Sequence, residues 1–260
     1  MLIRKILIKL LGFQNYLAFI SYVFLKTFIS KFYLGEHKQV RFLKNLVKPG
    51  DVCIDIGANL GYFSIPLSRY IGNSGKLYSV EPVAAFREHL NKNIKKFALN
   101  NIEVMPYALG EDDNKKVTMV TPEVEGVIRH GRTEVQESTT NSNVAFEHET
   151  LMMRPQTLFG SIENISFIKC DVEGYELHIL PLFKEIIENQ QPILEIEIDP
   201  LENKREIINM LSSLNYQVYF LGDEKLESFD IDNSAHQKEI ELYFLPKNKI
   251  NHYQSIIASN

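Results

Sequence analysis

The chain has 260 residues, of which 45% are hydrophobic and 23% are charged. This balance is that of an ordinary globular protein with a substantial core, and it excludes global disorder and fibrous architectures. Two cysteines, Cys53 and Cys170, make a disulfide framework unexpected and fit a reducing compartment, so we expect a cytoplasmic protein. The formal net charge of −5 argues against a dedicated nucleic-acid binder, and we expect no nucleic-acid partner.

The first 34 residues differ from the rest because they are basic and dense in apolar side chains, and no acidic residue precedes Glu36. The longest apolar run, from Tyr16 to Leu25, has ten residues, whereas a membrane span needs ~20. The pattern predicts a helical extension over residues 1–34, for which two interpretations are favoured over a cleaved signal peptide. It rests as a basic amphipathic arm on an anionic membrane surface, which would make the protein membrane-associated. Alternatively, its apolar stripe packs on the domain or on a second subunit of a homo-oligomer.

Residues 35–260 show the alternation of strands and helices that is typical of one α/β domain. The strands predicted for its sheet are Asp51–Ile56, Lys76–Val80, Ile102–Met105, Ile165–Asp171, Pro192–Ile198, Tyr216–Leu221 and Ile240–Leu245. The predicted helices are Gln39–Val47, Asn59–Ile71, Val83–Leu99, Glu176–Glu188 and Leu201–Leu214. This alternation predicts a doubly wound, mostly parallel seven-stranded sheet with helices on both faces. No helix separates the last two strands, which therefore should form an antiparallel pair at one edge.

Residues 121–150 interrupt this alternation. Apart from a strand predicted at Lys116–Val120, the stretch is crowded with Glu, Ser, Thr and Asn and carries no lasting helical stripe. We interpret it as an insertion of loops and short hairpins, which is either a functional lid or a poorly ordered segment. As a lid, its polar side chains would suit a hydroxylated ligand.

A glycine-containing turn follows the first strand, at the place where a doubly wound sheet binds its ligand. Gly57 and Gly61 lack a Cβ and let a ligand or a helix approach the backbone closely. Glu81 ends the second strand, where a carboxylate can accept hydrogen bonds from ribose hydroxyls. Together these residues predict a nucleoside site, although an ordinary strand-to-helix turn stays open as an alternative.

Asn59 and Asp55 favour one class of nucleoside over another. A dinucleotide needs G-x-G-x-x-G, whose central glycine admits the pyrophosphate; Asn59 occupies that place and its side chain would crowd the phosphates. The carboxylate of Asp55 is unfavourable to a diphosphate but suits an ammonium group. S-adenosylmethionine has a sulfonium and an amino group and no phosphate, so these residues favour it over NAD. An NAD-dependent oxidoreductase or epimerase is the disfavoured alternative, and a non-catalytic binding module is another.

Four segments in this order resemble the FkbM family of S-adenosylmethionine-dependent methyltransferases: residues 55–64 (DIGANLGYFS), 80–82 (VEP), 108–110 (ALG) and 169–176 (KCDVEGYE). The resemblance implies the Rossmann-like class I methyltransferase fold, with its strands in the order 3-2-1-4-5-7-6. It also implies an O-methyltransferase whose acceptor is a hydroxyl of a sugar, glycan or other natural product. The residues that it assigns to the cofactor are Asp55, Gly57, Asn59 and Gly61 at the methionine and ribose, Glu81 at the ribose hydroxyls and Ala108 near the adenine.

The chain departs from the family pattern at two places. Where the family often has Thr-Leu-Asp before its fourth strand, this chain has Phe159 as the third residue, which puts any role of that aspartate in doubt. Pro181 stands inside the helix that follows residues 169–176. Because proline fits poorly inside a helix, we predict two short helical pieces that meet near it.

The candidate catalytic residues are carboxylates near the carboxyl ends of strands. Asp171 and Glu173 could act as base and orienter toward an acceptor hydroxyl or share a divalent cation, although Glu173 could also simply start the next helix. We assign no metal ligands and leave metal dependence open. Glu195 lies in an interior strand, where an acid is a reasonable site candidate. Glu197 is interpreted as facing solvent or a lysine. His178 and His130 are further possible bases.

Overall fold

The computed structural model describes residues 2–29, 38–124, 127–128, 134–135 and 144–258. Its α-helices are α1 (Leu2–Leu11), α2 (Phe13–Ile29), α3 (Lys38–Phe42), α4 (Ser64–Ile71), α5 (Ala84–Lys96), α6 (Pro155–Phe159), α7 (Glu176–Ile179), α8 (Lys184–Gln190) and α9 (Leu201–Ser213). Its strands are β1 (Val52–Ile56), β2 (Lys76–Val80), β3 (Ile102–Met105), β4 (Tyr107–Leu109), β5 (Lys115–Val124), β6 (Val127–Ile128), β7 (Glu134–Val135), β8 (Val144–Met153), β9 (Ile165–Cys170), β10 (Ile193–Glu197), β11 (Tyr216–Leu221), β12 (Leu226–Ser228) and β13 (Glu241–Pro246). Short 3-10 helices cover Leu43–Asn45, Leu180–Phe183 and Lys247–Ile256.

The main sheet has eight strands among the described residues, in the order β12-β11-β13-β10-β9-β1-β2-β3. Numbered along the chain, the seven predicted strands follow one another in it as 3-2-1-4-5-7-6. β1 pairs in parallel with β2 and β9, whereas β13 is antiparallel to β10 and β11. The eighth strand, β12, extends the edge beyond β11; the prediction of seven strands missed it because three residues are too few to show a period.

Side chains alternate between the two faces of this sheet, and each face has its own core. In β1, Cys53 packs into one apolar cluster and Ile54 into the other, as the period of two requires. Ile54 shares its cluster with residues of α7, α8 and α9, and Cys53 shares its cluster with residues of α3 and α4. Helices thus cover both faces, which is the doubly wound arrangement.

Two predicted helices differ from the structure in ways that shape the loops at the carboxyl edge of the sheet. α4 begins at Ser64 and not at Asn59, so the residues between them form the turn that follows β1. Pro66 then falls in the first helical turn, where the missing N–H costs no hydrogen bond. The helix predicted at Glu176–Glu188 is divided into α7 and α8 by the 3-10 turn Leu180–Phe183, which contains Pro181; the predicted break is confirmed.

The prediction of loops and short hairpins after residue 120 agrees with the two-residue antiparallel pairing of β6 with β5 but is wrong for the long strand β8. β5 and β8 are ten residues each and form one long antiparallel ladder. They belong to a second sheet with β4 and β6, and β7 pairs with β5. Residues 147–150 of β8 are all polar, and this run concealed the strand character of the segment. Residues 125–126, 129–133 and 136–143, which include His130, lie outside the described residues.

The N-terminal helices pack on the domain. α2 contacts α4 and α5, and its Leu17 and Leu25 are fully buried. Two polar contacts join the same elements: His89 Nε2 lies 2.8 Å from Gln14 Oε1, and Asn93 Nδ2 donates to Ser21 Oγ at 3.2 Å. In the part of the chain that the structure describes, no helix has both the length and the apolar character needed to cross a membrane.

Candidate active site

The carboxyl ends of β1, β2 and β9 open into a cavity of about 660 Å³, a volume typical of small-molecule sites. The loop after β1, the end of β2, β4, the loop after β9 and the ends of β10 and β13 form most of its wall. The N-terminal helices contribute Arg4, Tyr16, Ile20 and Phe24 to it. Six of the nine site residues predicted from the sequence line this cavity: Gly57, Asn59, Glu81, Ala108, Asp171 and Glu173.

Gly57 brings two of these loops together. Its φ of 84° lies in the left-handed region, which favours glycine. A Cβ at this position would overlap the carbonyl oxygen of Asp171. The backbone of the two loops is joined directly above β1, where the N–H of Asp171 donates to the carbonyl of Ile56 at 3.0 Å. Only a glycine therefore allows the loop after β1 and the loop that carries Asp171 to share one cavity.

Glu81 forms the floor of the predicted nucleoside end. Its side chain is buried, with 4% of the residue exposed. Oε2 accepts a hydrogen bond from the N–H of Asn59 at 2.8 Å, and Oε1 accepts one from the N–H of Val83 at 2.8 Å. Burial raises the pKa of Glu81 to about 7, although these two hydrogen bonds oppose the shift. Since a carboxylate oxygen can accept two hydrogen bonds, each oxygen keeps the capacity to accept one from a ligand hydroxyl.

Asp55, Gly61 and Glu195 do not line the cavity. Asp55 is buried beneath the loop, where it accepts a hydrogen bond from Ser64 Oγ at 2.5 Å; burial raises its pKa, and the nearby ammonium of Lys169 opposes the shift. A Cβ on Gly61 would press against the end of the Leu90 side chain at 2.8 Å. Gly61 thus allows the start of α4 to pack against α5, and Asp55 supports the loop from below.

A row of buried polar residues crosses the sheet one step below the cavity. Asp55 is in register with Ser79 on one side and with Lys169 on the other. Lys169 is in register with Glu195, and Glu195 is in register with Tyr243. All five residues are buried. Because each occupies the same position relative to the carboxyl edge, they form one continuous polar line under the site.

Lys169 is the only cation in this row and was missed as a site residue by the sequence prediction. Its side chain is 2% exposed, and Nζ lies 3.1 Å from Asp171 Oδ2 and 4.0 Å from Glu241 Oε1. Nζ also lies 4.2 Å from the centre of the Phe63 ring. Burial alone would lower the pKa of Lys169, but the attraction of Asp171 and Glu241 outweighs it and raises the pKa. A lysine inside an otherwise apolar strand was the available signal, because a buried charge requires partners.

Of the three glutamates on β10 and β13, one is buried in the sheet and two line the cavity. Glu195 is fully buried, and its pKa is raised by burial and by the nearby charge of Glu241. Glu197 and Glu241 are cross-strand neighbours and both line the cavity. Burial, followed by the charges of Asp171 and Glu241, raises the pKa of Glu197 to about 7. The interpretation of Glu197 as facing solvent or a lysine on a helix is therefore replaced by a place in the cavity wall.

The loop after β9 holds its shape through a buried glutamate. Glu173 and Gly174 both have positive φ, of 54° and 98°. Glu176 Oε1 accepts hydrogen bonds from the N–H groups of Val172 and Gly174, both at 3.1 Å, and so fixes the turn that presents Glu173. His178 stacks on Tyr175 with 4.4 Å between the ring centres and is not part of the cavity wall. Within the described residues, no group of three or more His, Cys, Asp or Glu side chains is arranged to hold a metal ion.

Comparison with known proteins identifies a family whose sequence model matches this chain. The sequence model described as the methyltransferase FkbM domain matches residues 55–218. The crystal structure of the methyltransferase FkbM from Methylobacillus flagellatus is similar, with a TM-score of 0.52 at 17% identity over 76% of this chain. This chain spans 44% of the length of that protein. A SAM-dependent O-methyltransferase from Thermotoga maritima matches with a TM-score of 0.45 at 15% identity, covering 85% of this chain and 69% of the other. The comparison with curated proteins gives no match.

Proposed function

The chain belongs to the FkbM family of methyltransferases, which take their methyl group from S-adenosylmethionine, and on this premise we propose that it methylates a hydroxyl of a sugar, glycan or related small natural product. The observation that carries the proposal is one cavity with two chemically different ends. Glu81 and the Gly57 loop stand at one end, and carboxylates led by Asp171 stand at the other. A methyl transfer needs both a nucleoside site and a group that takes a proton from the acceptor.

The residues of the first end fit the cofactor. Glu81 offers one acceptor position on each carboxylate oxygen, which matches the two hydroxyls of a ribose. Gly57 and Asn59 line the wall beside it, and the small side chain of Ala108 leaves a flat apolar wall that suits an adenine. When bound, S-adenosylmethionine supplies an electrophilic methyl group. The chain's own residues have to bind the acceptor, orient its oxygen and accept its proton.

Asp171 is the group that we assign to accept that proton. The ion pair with Lys169 engages Oδ2, and Oδ1 accepts no hydrogen bond from the described residues. About a quarter of the side chain, 27%, is exposed to the cavity region. A carboxylate anchored through one oxygen can present the other to a hydroxyl, so Lys169 acts as the positioning residue and Asp171 as the base.

The acceptor end favours a hydroxylated molecule over an aliphatic one. Glu173, Glu197 and Glu241 bring carboxylate oxygens to the cavity wall, and Tyr107 and Tyr175 also line it. Carboxylates accept hydrogen bonds from hydroxyl groups, and aromatic rings pack against the apolar faces of sugars. This combination supports a small-molecule or glycan acceptor.

Two measurements test the proposal. In titration calorimetry we expect S-adenosylhomocysteine to bind and NAD to give no heat; tight NAD binding without a response to S-adenosylhomocysteine would overturn the assignment. Incubation with methyl-labelled S-adenosylmethionine and a fractionated cell extract should then label a base-stable, hydroxyl-bearing fraction. Asp171→Asn should abolish labelling, whereas the control Asp223→Asn, which changes an exposed aspartate in the turn between β11 and β12, should not. Label that appears only on amines or carboxylates would refute O-methylation.

A further inference from the structure

Exposed apolar side chains are concentrated on the N-terminal helices. Nine large apolar side chains of the described residues are exposed, and five of them belong to α1 and α2. These five are Ile6, Leu10, Leu11, Phe19 and Val23. Leu10 is the most open, with 76% of its surface exposed. A concentration of this kind marks an interaction surface, whereas single exposed apolar residues are ordinary.

α1 has two faces of different character. Leu7 and Ile8 pack on the domain against a cluster that includes Tyr16 and Leu17. Ile6 and Leu10 are one helical turn apart and share the outer face, beside the exposed Lys5 and Lys9. The outer face is therefore apolar along one line and basic along the next.

The same combination continues along α2. Phe19 and Val23 are exposed one turn apart, and Lys26 follows within the same helix. Lys96 of α5 lies close to Lys26, because both lysines contact the ring of Tyr22. The Nζ atom of Lys26 is 5.5 Å from the ring centre, and that of Lys96 is 3.2 Å from it. No acidic residue occurs among residues 1–35, although the whole chain has a net charge of −5. The positive charge is thus a local property of this surface.

We propose that the outer face of α1 and α2 docks on an anionic lipid membrane. Apolar side chains flanked by lysines are the combination by which an interfacial helix binds the boundary of a charged bilayer. A second copy of this chain fits the surface less well, because a twofold interface would place the lysines of both copies together. The proposal concerns where the protein sits and does not depend on the acceptor chemistry proposed above.

Docking in this way would have a consequence for the site. The inner sides of the same helices line the cavity through Tyr16, Ile20 and Phe24. One helix pair thus separates the lipid surface from the cavity, and a membrane-borne amphiphile is the class of acceptor that such a position favours.

Vesicle flotation with the full chain tests this proposal. We expect binding to vesicles of phosphatidylcholine with 30–40% phosphatidylserine, a test composition of roughly the charge of a strongly anionic leaflet, and at least tenfold weaker binding to phosphatidylcholine alone. Leu10→Glu and Lys9→Glu should each weaken binding about tenfold, since each opposes an interfacial contact. The controls Leu151→Glu and Lys225→Glu change an exposed leucine and an exposed lysine elsewhere and should bind like the unaltered protein.

The outcomes separate this proposal from the proposed function. Protein that binds S-adenosylhomocysteine but does not float with anionic vesicles overturns the membrane proposal alone. Equal loss in the control variants, or a concentration-dependent dimer that Leu10→Glu dissolves, also overturns it. Each variant is first shown to bind S-adenosylhomocysteine like the unaltered protein, so that a folding defect is not taken for a lost interface.

Discussion

The ionisation of Glu81 should control the affinity for the nucleoside. Its carboxyl is buried with a pKa of about 7, because burial outweighs the hydrogen bonds from the N–H groups of Asn59 and Val83. Ribose hydroxyls that donate to it stabilise the charged form. Binding therefore requires the carboxylate to lose its proton, and the nucleoside should bind more tightly as the pH rises through 7.

The magnitude follows from the fraction of charged carboxylate. With a pKa of about 7, roughly a tenth of the groups are ionised at pH 6 and nine tenths at pH 8, so the affinity should rise about tenfold between them. The same raised pKa makes the stability of the folded protein fall, and not rise, with increasing pH. The folded protein holds a proton between the ordinary pKa of 4.5 and about 7 that the unfolded chain releases, so the contribution of Glu81 to stability is lost as the pH rises through this window.

Calorimetry with adenosine and with S-adenosylhomocysteine at pH 6, 7 and 8 measures the effect. Adenosine has the ribose but no amino-acid part, so its affinity isolates the carboxyl of the protein. Glu81→Gln should bind weakly and without pH dependence, whereas Glu197→Gln, whose carboxyl also has a pKa of about 7, should keep the tenfold rise. A flat profile for the unaltered protein, or a slope that survives in Glu81→Gln, would refute the reasoning.

Three further predictions concern the elements around Glu81. Asp171→Asn should lower methyl transfer at least a hundredfold, as loss of a general base does, while the S-adenosylhomocysteine affinity stays within twofold; transfer within tenfold of normal would exclude Asp171 as the base. Lys169→Met leaves the surrounding carboxylates without their cation. Urea titrations should therefore show a free energy of unfolding that is lower by about 3–5 kcal/mol. A decrease below about 1 kcal/mol, which is the usual limit for an exposed ion pair, would contradict the buried ion pair. Gly57→Ala should lower the free energy of unfolding by more than Gly72→Ala does. The Cβ added at Gly72 meets nothing within 4 Å, so that variant carries only the backbone strain of its φ of 66° and ψ of −179°, which is worth about 1–3 kcal/mol. Equal melting temperatures would contradict the overlap with Asp171.

Local sequence patterns predicted most of the main sheet. Its interior strands are short runs rich in apolar residues and bounded by turn residues, and each predicted end lies within one residue of the end in the structure. Pro181 predicted the division between α7 and α8 because proline acts on its own helix. Patterns of this kind succeed where the cause lies within a few residues of the effect.

The same patterns failed where the cause is remote. β8 contains an unbroken run of four polar residues, and its strand character comes from the ladder with β5. β12 is three residues long and exists because β11 offers it a free edge. The local sequence of β8 or of β12 does not indicate which strand it pairs with.

The sequence by itself predicted that Gly57, Asn59 and Glu81, which we propose as nucleoside contacts, lie together, since they follow strands whose carboxyl ends must meet at one edge of a parallel sheet. Only the tertiary structure decided the rest. Strand register aligns Lys169 with Asp55 and Glu195, although the three residues are far apart along the chain. Burial of Leu17 and Leu25 draws the N-terminal helices over the cavity, a contact driven by apolar area that no local pattern specifies.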